Sequence, residues 1–268
     1  MSATDAAVAA ADLLEQAART GVAVEPLVDL LGTSDIALAY EVQTLVTERR
    51  LAAGARLVGR KIGLTSEAVQ KQIGVDRPDF GVLFDDMSFG DGETIPFARL
   101  LQPKAEAEVA FLLGSDVVDL DGTDDLQTVR EAVALAFPAI EIVDSRIADW
   151  RIGITDTVAD NASSGVFVVG SRGFPLDEVE PADVVMAMRR GDEVVSSGDG
   201  RACLGDPLNA LRWLAATAIE FGSPLRAGDL VLSGALGPMV AVRPGDVFTA
   251  DIAPLGTVTA RFDEGNTE

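Results

Sequence analysis

A chain of 268 residues, 48% hydrophobic and 24% charged, holds enough apolar material for one large core, or for a core with an appended subdomain. Its net charge of −22 argues against nucleic acid and anionic membrane surfaces, both of which require a basic face. The absence of histidine removes Ser-His-Asp triads, Cys-His pairs and imidazole-ligated zinc together, and the single cysteine, Cys203, removes an internal disulfide.

Proton transfer in such a chain falls to Asp, Glu, Lys, Tyr, Cys or water. One tyrosine, Tyr40, and three lysines, Lys61, Lys71 and Lys104, stand against eighteen arginines, so each lysine deserves inspection. The N-terminal stretch lacks a basic region followed by an apolar one, and no apolar run approaches ~18 residues. A cytoplasmic protein with neither nucleic acid nor membrane among its partners is expected.

The first sixty residues read as helical. "TDAAVAAADLLEQAART" offers Thr4 as N-cap and Gly21 as stop; "TSDIALAYEVQTLVTERRLAAG" offers Ser34 as N-cap and Gly54 as stop. "RLVGRKIGLT" is then a short strand-like run broken by glycine. From about residue 90 the chain is strand-rich, with "ETIPF", "AEVAFLLG", "PAIEIVDS", "GVFVVG" and "DLVLSG" as the clearest runs. "DLDGTDDL" reads as an acidic turn and "DTVADNASSG" as a polar loop. One clear helix interrupts the strands: "GDPLNALRWLAATAIEFG", with Asp206 as N-cap, Pro207 in its first position and Gly222 as stop. Strands after a helical block predict an α+β fold, with residues 1–60 as an N-terminal helical region and 61–268 as a β-rich catalytic unit continuous with it.

Within "KAEAEVAFLL", Lys104, Glu106 and Glu108 share one face of a strand, with the two carboxylates roughly 6.6 Å apart. That face is either solvated, with the alanines turned inward, or it holds a cation. Glu141 in "FPAIEIVDSR" favours the cation, because a carboxylate in an apolar strand is costly unless partnered. Three carboxylates without histidine suit a hard, oxygen-preferring ion such as Mg²⁺ or Mn²⁺. Lys61 in "GRKIGLTS" sits among glycine and apolar residues, where a lysine can move a proton or hold a carboxylate; an exposed strand end is its commoner fate. Asp79 follows Pro78 and precedes Phe80: ordinary turn chemistry if taken alone, a general base if buried. Asn161, Ser163 and Ser164 could reach a ligand from the polar loop, and Gly234 and Gly237 could present backbone N–H groups to a carboxylate. Cys203 has no basic partner of the imidazole kind and reads as structural.

Seven segments in this order, "GRKIGLTS", "DRPDFGVLFDDM", "LLQPKAEAEVAF", "PAIEIVDSRIADW", "DTVADNASSGVFVVG", "CLGDPLNALRWLA" and "GDLVLSGALGPMVAV", resemble the 2-hydroxypenta-2,4-dienoate (2-keto-4-pentenoate) hydratases of the fumarylacetoacetate hydrolase superfamily. The sister 4-oxalocrotonate decarboxylases share much of the pattern. The resemblance implies a fumarylacetoacetate-hydrolase-type mixed β-roll with an N-terminal helical region, and Mg²⁺ or Mn²⁺ held by Glu106, Glu108 and Glu141. It implies acid–base roles for Lys61 and Asp79, with Leu83, Ser164 and Gly234 as expected substrate contacts. It further implies hydration of a 2-hydroxy-2,4-dienoate in aromatic-compound catabolism by a homo-oligomer, complexed with a downstream aldolase or sister decarboxylase. A decarboxylase acting on a vinylogous 2-oxo diacid is the alternative, and a non-catalytic partner subunit of such a complex is the second.

Overall fold

The computed structural model describes residues 2–66, 70, 75, 77–122 and 124–265. Helix α1 (Ala3–Thr20) begins at Ser2 rather than at the expected Thr4. Ser2 and Asp5 each accept the other's backbone N–H, which satisfies two free amides at once, an arrangement Thr4 does not make. Gly21, left-handed at φ 69°, ends the helix as expected. After the single turn α2 (Val28–Leu31), α3 (Ile36–Ala52) starts at Asp35, whose carboxylate accepts from Leu38 N, in place of Ser34. Both long helices bury one face in the main hydrophobic cluster of the molecule, alongside residues of the sheets.

The remaining elements are β1 (Leu57–Gly63), β2 (Asp79–Phe84), β3 (Ser88–Phe89), β4 (Thr94–Ile95), β5 (Lys104–Leu113), α4 (Asp125–Ala132) and β6 (Val133–Val143). They continue with α5 (Ile154–Ala159), β7 (Ser164–Val169), β8 (Val185–Arg190), β9 (Glu193–Asp199), α6 (Pro207–Glu220), β10 (Leu230–Ala235), β11 (Val240–Ala241), β12 (Val247–Ala253) and β13 (Gly256–Phe262). Two expectations need correcting. The end of the acidic turn opens α4, with Asp124 accepting from Gln127 N, and the first four residues of the polar loop, Asp156 to Ala159, belong to α5. α6 matches its reading: Asp206 accepts from Leu208 N and Pro207 occupies the first turn, where no N–H partner is needed.

An eight-stranded sheet runs β2-β1-β10-β5-β6-β7-β3, with β11 also pairing β5. β1–β10 and β3–β7 are parallel and the other pairs antiparallel, so the sheet is mixed. A second sheet, β4-β13-β12-β8-β9, packs against β6 and β7. Strand alternation sorts β5 into two faces. Ala105, Ala107, Val109 and Phe111 enter the main core, with Ile140 and Ile142 of β6 beside them. Glu106, Glu108 and Ala110 face the other way. There a smaller apolar cluster of Val82, Leu83, Phe84, Met87, Ala110, Ala139, Phe167 and Leu232 fills the concave side.

Asn161 bridges to the sheet edge. Its side chain accepts from Val82 N at 2.7 Å and donates to Val82 O at 2.9 Å, occupying the open edge of β2. β2, an edge of the sheet, lies against β7 near the other end, so the sheet is curled into a roll. No helix among the described residues is long and apolar enough to cross a membrane.

Candidate active site

The concave face resolves the question posed by Glu106 and Glu108: both side chains are buried. Glu106 stands directly opposite Glu141 in the β5–β6 ladder, and Glu108 is one pleat further along β5. The three are 9%, 0% and 1% exposed, and one carboxylate oxygen from each lies within 4.8 Å of the other two. Burial pushes Glu106 up to about 7, reinforced by Glu141, and it holds Glu108 well above the ordinary carboxylate range. Burial also raises Glu141, against the opposing pull of Lys61.

Lys61 is the only cation brought to within ion-pair distance of this group among the described residues. Its Nζ lies 3.1 Å from Glu141 Oε1 and donates to Ala162 O at 2.9 Å. Burial disfavours its charge, but Glu141, Asp79, Glu106 and Glu108 more than offset that, so the ammonium stays protonated well above neutral pH. Gly234 supplies a second contact. The β10–β5 ladder is irregular between Leu232 and Ala235, and Gly234 N donates to Glu108 Oε2 at 2.8 Å instead of to a strand. Gly234 adopts φ 109°, and a Cβ there would stand 2.2 Å from Thr65 Oγ1, so only glycine fits.

With all three carboxylates ionised, the single Lys61 ammonium cannot balance them. Glu108 Oε1 and Glu141 Oε2 are buried without a hydrogen-bond partner, which natural interiors rarely leave uncompensated. An all-oxygen, all-carboxylate donor set of this kind fits Mg²⁺ or Mn²⁺.

Asp79 opens β2 directly across from Gly63 of β1, and it is 1% exposed rather than in a solvated turn. Thr157 Oγ1 donates to its Oδ2 at 2.8 Å, while Oδ1 has no partner. A Cβ on Gly63 would lie 2.2 Å from that Oδ1 and 3.5 Å from Lys61 Nζ, so the missing side chain leaves room for both groups. Burial raises Asp79 above the usual carboxylate range, with Lys61 and Thr157 pulling it down.

The other sequence candidates have varied surroundings. Leu83 lies on the same pleat face of β2 as Asp79 and belongs to the concave apolar cluster. Ser164 donates to Asn161 O at 2.8 Å and borders a cavity of about 670 Å³ beside α1 and α3, together with Arg146 and Asp160. Cys203 donates to Ser233 O, and burial pushes its thiol up to about 12. Tyr40 is buried against Phe80, ring centroids 4.7 Å apart, and held neutral by that burial. Lys104 sits 4.0 Å above the Trp150 ring. Lys71 lies outside the described residues. Thr157, Gln43 and the Ala162 carbonyl escaped sequence reading, since neutral groups on helices and turns carry no charge signal.

Residues 54–263 match the family described as fumarylacetoacetate (FAA) hydrolase C-terminal, and the chain belongs to that family. Within it, the chain is 55% identical over 257 residues to 2-keto-4-pentenoate hydratase 1 of Dechloromonas aromatica, covering 95% of this chain and 96% of that one. It is 57% identical over 256 residues to the TodF product hydratase of Pseudomonas putida, covering 94% of each. Among solved structures, 4-oxalocrotonate decarboxylase from Pseudomonas putida G7, complexed with magnesium and adipate, superposes with a TM-score of 0.91 at 34% identity over 98% of both chains.

Proposed function

We propose that this chain hydrates a 2-hydroxy-2,4-dienoate, or its 2-oxo tautomer, to a 4-hydroxy-2-oxoalkanoate in the breakdown of aromatic compounds. The observation that carries this is the buried set of Glu106, Glu108 and Glu141 with Lys61 and a half-partnered Asp79 beside it. Relatives that are 55% and 57% identical along nearly the whole chain carry hydratase names, which supports the same chemistry here.

Glu106, Glu108 and Glu141 would hold Mg²⁺ or Mn²⁺. When bound, such a cation supplies Lewis acidity toward the carboxylate and 2-oxygen of the substrate. Asp79, through the unpartnered Oδ1, takes the proton of the 2-hydroxyl. Lys61, held between Glu141 and the Ala162 carbonyl, delivers one at C5. The resulting 2-oxo-3-enoate is electrophilic at C4, where water adds. Leu83 and its apolar neighbours Ala110, Ala139 and Phe167 exclude bulk water from the hydrocarbon part of the substrate. Ser164 and Gly234 complete the set of proposed contacts, Gly234 acting also through Glu108.

The magnesium-bound decarboxylase that superposes at a TM-score of 0.91 supports a second reading, loss of carbon dioxide from a vinylogous 2-oxo diacid, which needs the same electron withdrawal. One experiment separates them. Purified protein with Mg²⁺ is given 2-hydroxypentadienoate and, separately, an oxalocrotonate-type diacid, with ultraviolet absorbance and product mass followed. Addition of one water to the dienoate is expected; decarboxylation of the diacid without hydration of the dienoate would replace the first reading with the second, and no reaction with either would sink both. We extend the proposal to a cytoplasmic homo-oligomer able to associate with an aldolase or sister decarboxylase. The exposed Val185 and Val194 of the β8–β9 hairpin support self-assembly, and a monomeric mass by light scattering would refute it.

A further inference from the structure

We infer that Thr157, set in place by Gln43, is a positioning residue for Asp79, and the inference rests on the proton-transfer role proposed for that aspartate. A carboxylate turns easily about its last side-chain bond, so a buried aspartate with no fixed partner presents either oxygen in a range of directions. Thr157 Oγ1 removes that freedom by donating to Oδ2 at 2.8 Å, with both residues almost fully buried. The other oxygen, Oδ1, is left unpartnered over Gly63, beside the Lys61 ammonium. One oxygen is anchored and the other is kept for the reaction.

Thr157 can do this only if α5 keeps its distance from β2, and Gln43 of α3 fixes that distance. Its Nε2 donates to Phe80 O and to Val158 O, each at 2.9 Å. Those carbonyls belong to the residues immediately after Asp79 and Thr157. A single buried amide therefore bridges the two segments that the Thr157–Asp79 bond spans. The ring of Tyr40, also on α3, stacks on Phe80. The N-terminal helices thereby reach the reaction centre without supplying a reacting group.

The test compares kcat and KM for the wild-type enzyme, Thr157→Val, Thr157→Ser, Asp79→Asn and the double variant Asp79→Asn/Thr157→Val, all loaded with Mg²⁺. Thr157→Val keeps the shape and loses the hydroxyl, and kcat should fall by about tenfold to a hundredfold with KM little changed, the scale at which misplacing a reacting group is felt. Thr157→Ser should restore most of the rate. In the Asp79→Asn background, Thr157→Val should cost nothing further, because the group it positions is already gone. An equal cost in both backgrounds, a wild-type kcat in Thr157→Val, or a serine variant no better than valine would each overturn the inference. If Asp79→Asn itself turns over at the wild-type rate, the role of Asp79 falls, and the inference with it. Should Thr157→Val fail to fold by circular dichroism, Thr157→Ala takes its place under the same criteria.

Discussion

Glu106, Glu108 and Glu141 are expensive residues wherever they lack a counter-charge, because burial penalises each carboxylate and their proximity penalises them again. The expense predicts what removal of one will do. Glu106→Ala should weaken Mn²⁺ binding in calorimetry by more than about 100-fold, beyond what the loss of a supporting residue causes, and abolish turnover while the protein stays folded. Undiminished Mn²⁺ affinity in that variant would exclude Glu106 as a ligand. The same cost makes Glu141 stand out in the sequence, as a charge within an apolar run. Asp79 taken alone reads as a turn residue and Lys61 as an exposed strand end, and only the family resemblance gives those two their roles. Thr157 and Gln43 did not stand out, since their partners lie 78 and 37 residues away and a neutral side chain gives no hint of them. Cys203 was legible for the opposite reason, having no basic partner to activate it. With its thiol buried and pushed up to about 12, almost no thiolate exists at neutral pH. Iodoacetamide should therefore leave the native protein unlabelled under conditions that fully label the unfolded chain; rapid native labelling would contradict the burial.

Among the elements, the turn Asn161–Ser163 does the most with the least. Three consecutive residues other than glycine have φ of 56°, 52° and 53°, a conformation that costs about 1–2 kcal/mol per residue. The surroundings over-determine it: Asn161 grips both backbone groups of Val82, Ser163 O accepts from Asp144 N, and Ala162 O accepts from Lys61. Ala162→Gly should relieve part of the strain and stabilise the protein by about 0.5–1 kcal/mol, read as a raised urea midpoint with unchanged slope. A lowered midpoint would mean that rigidity at Ala162 outweighs strain. No sequence pattern announces such a turn. Helices announce themselves through caps, which is why α1, α3 and α6 were legible to within a residue or two, and strands through apolar runs. "DTVADNASSG" has neither mark, so the end of α5 and the turn after it read as a loop. The roll closes through Asn161 and Val82, 79 residues apart, and only the resemblance to a family carried that expectation.

For the whole molecule, a net charge of −22 and a buried anionic centre pose one problem at two strengths. Surface carboxylates repel one another weakly and are screened by any salt, whereas the buried three need an ion that reaches them. The two contributions separate experimentally. Raising NaCl should stabilise the protein modestly and without saturation, by screening alone. Adding MgCl₂ at matched ionic strength should stabilise it further and saturate, because the cation binds the folded cluster and the unfolded chain has no such site. At a free concentration about 100 times Kd, the gain is about 2.7 kcal/mol, several degrees in Tm for a chain of this size. Glu108→Gln should keep the NaCl response and lose the MgCl₂ increment, since the amide removes the charge of a proposed ligand while leaving the surface untouched. Equal melting curves in NaCl and MgCl₂ at matched ionic strength would show that the concave face carries no specific cation, and the reaction proposed for it would have to be abandoned.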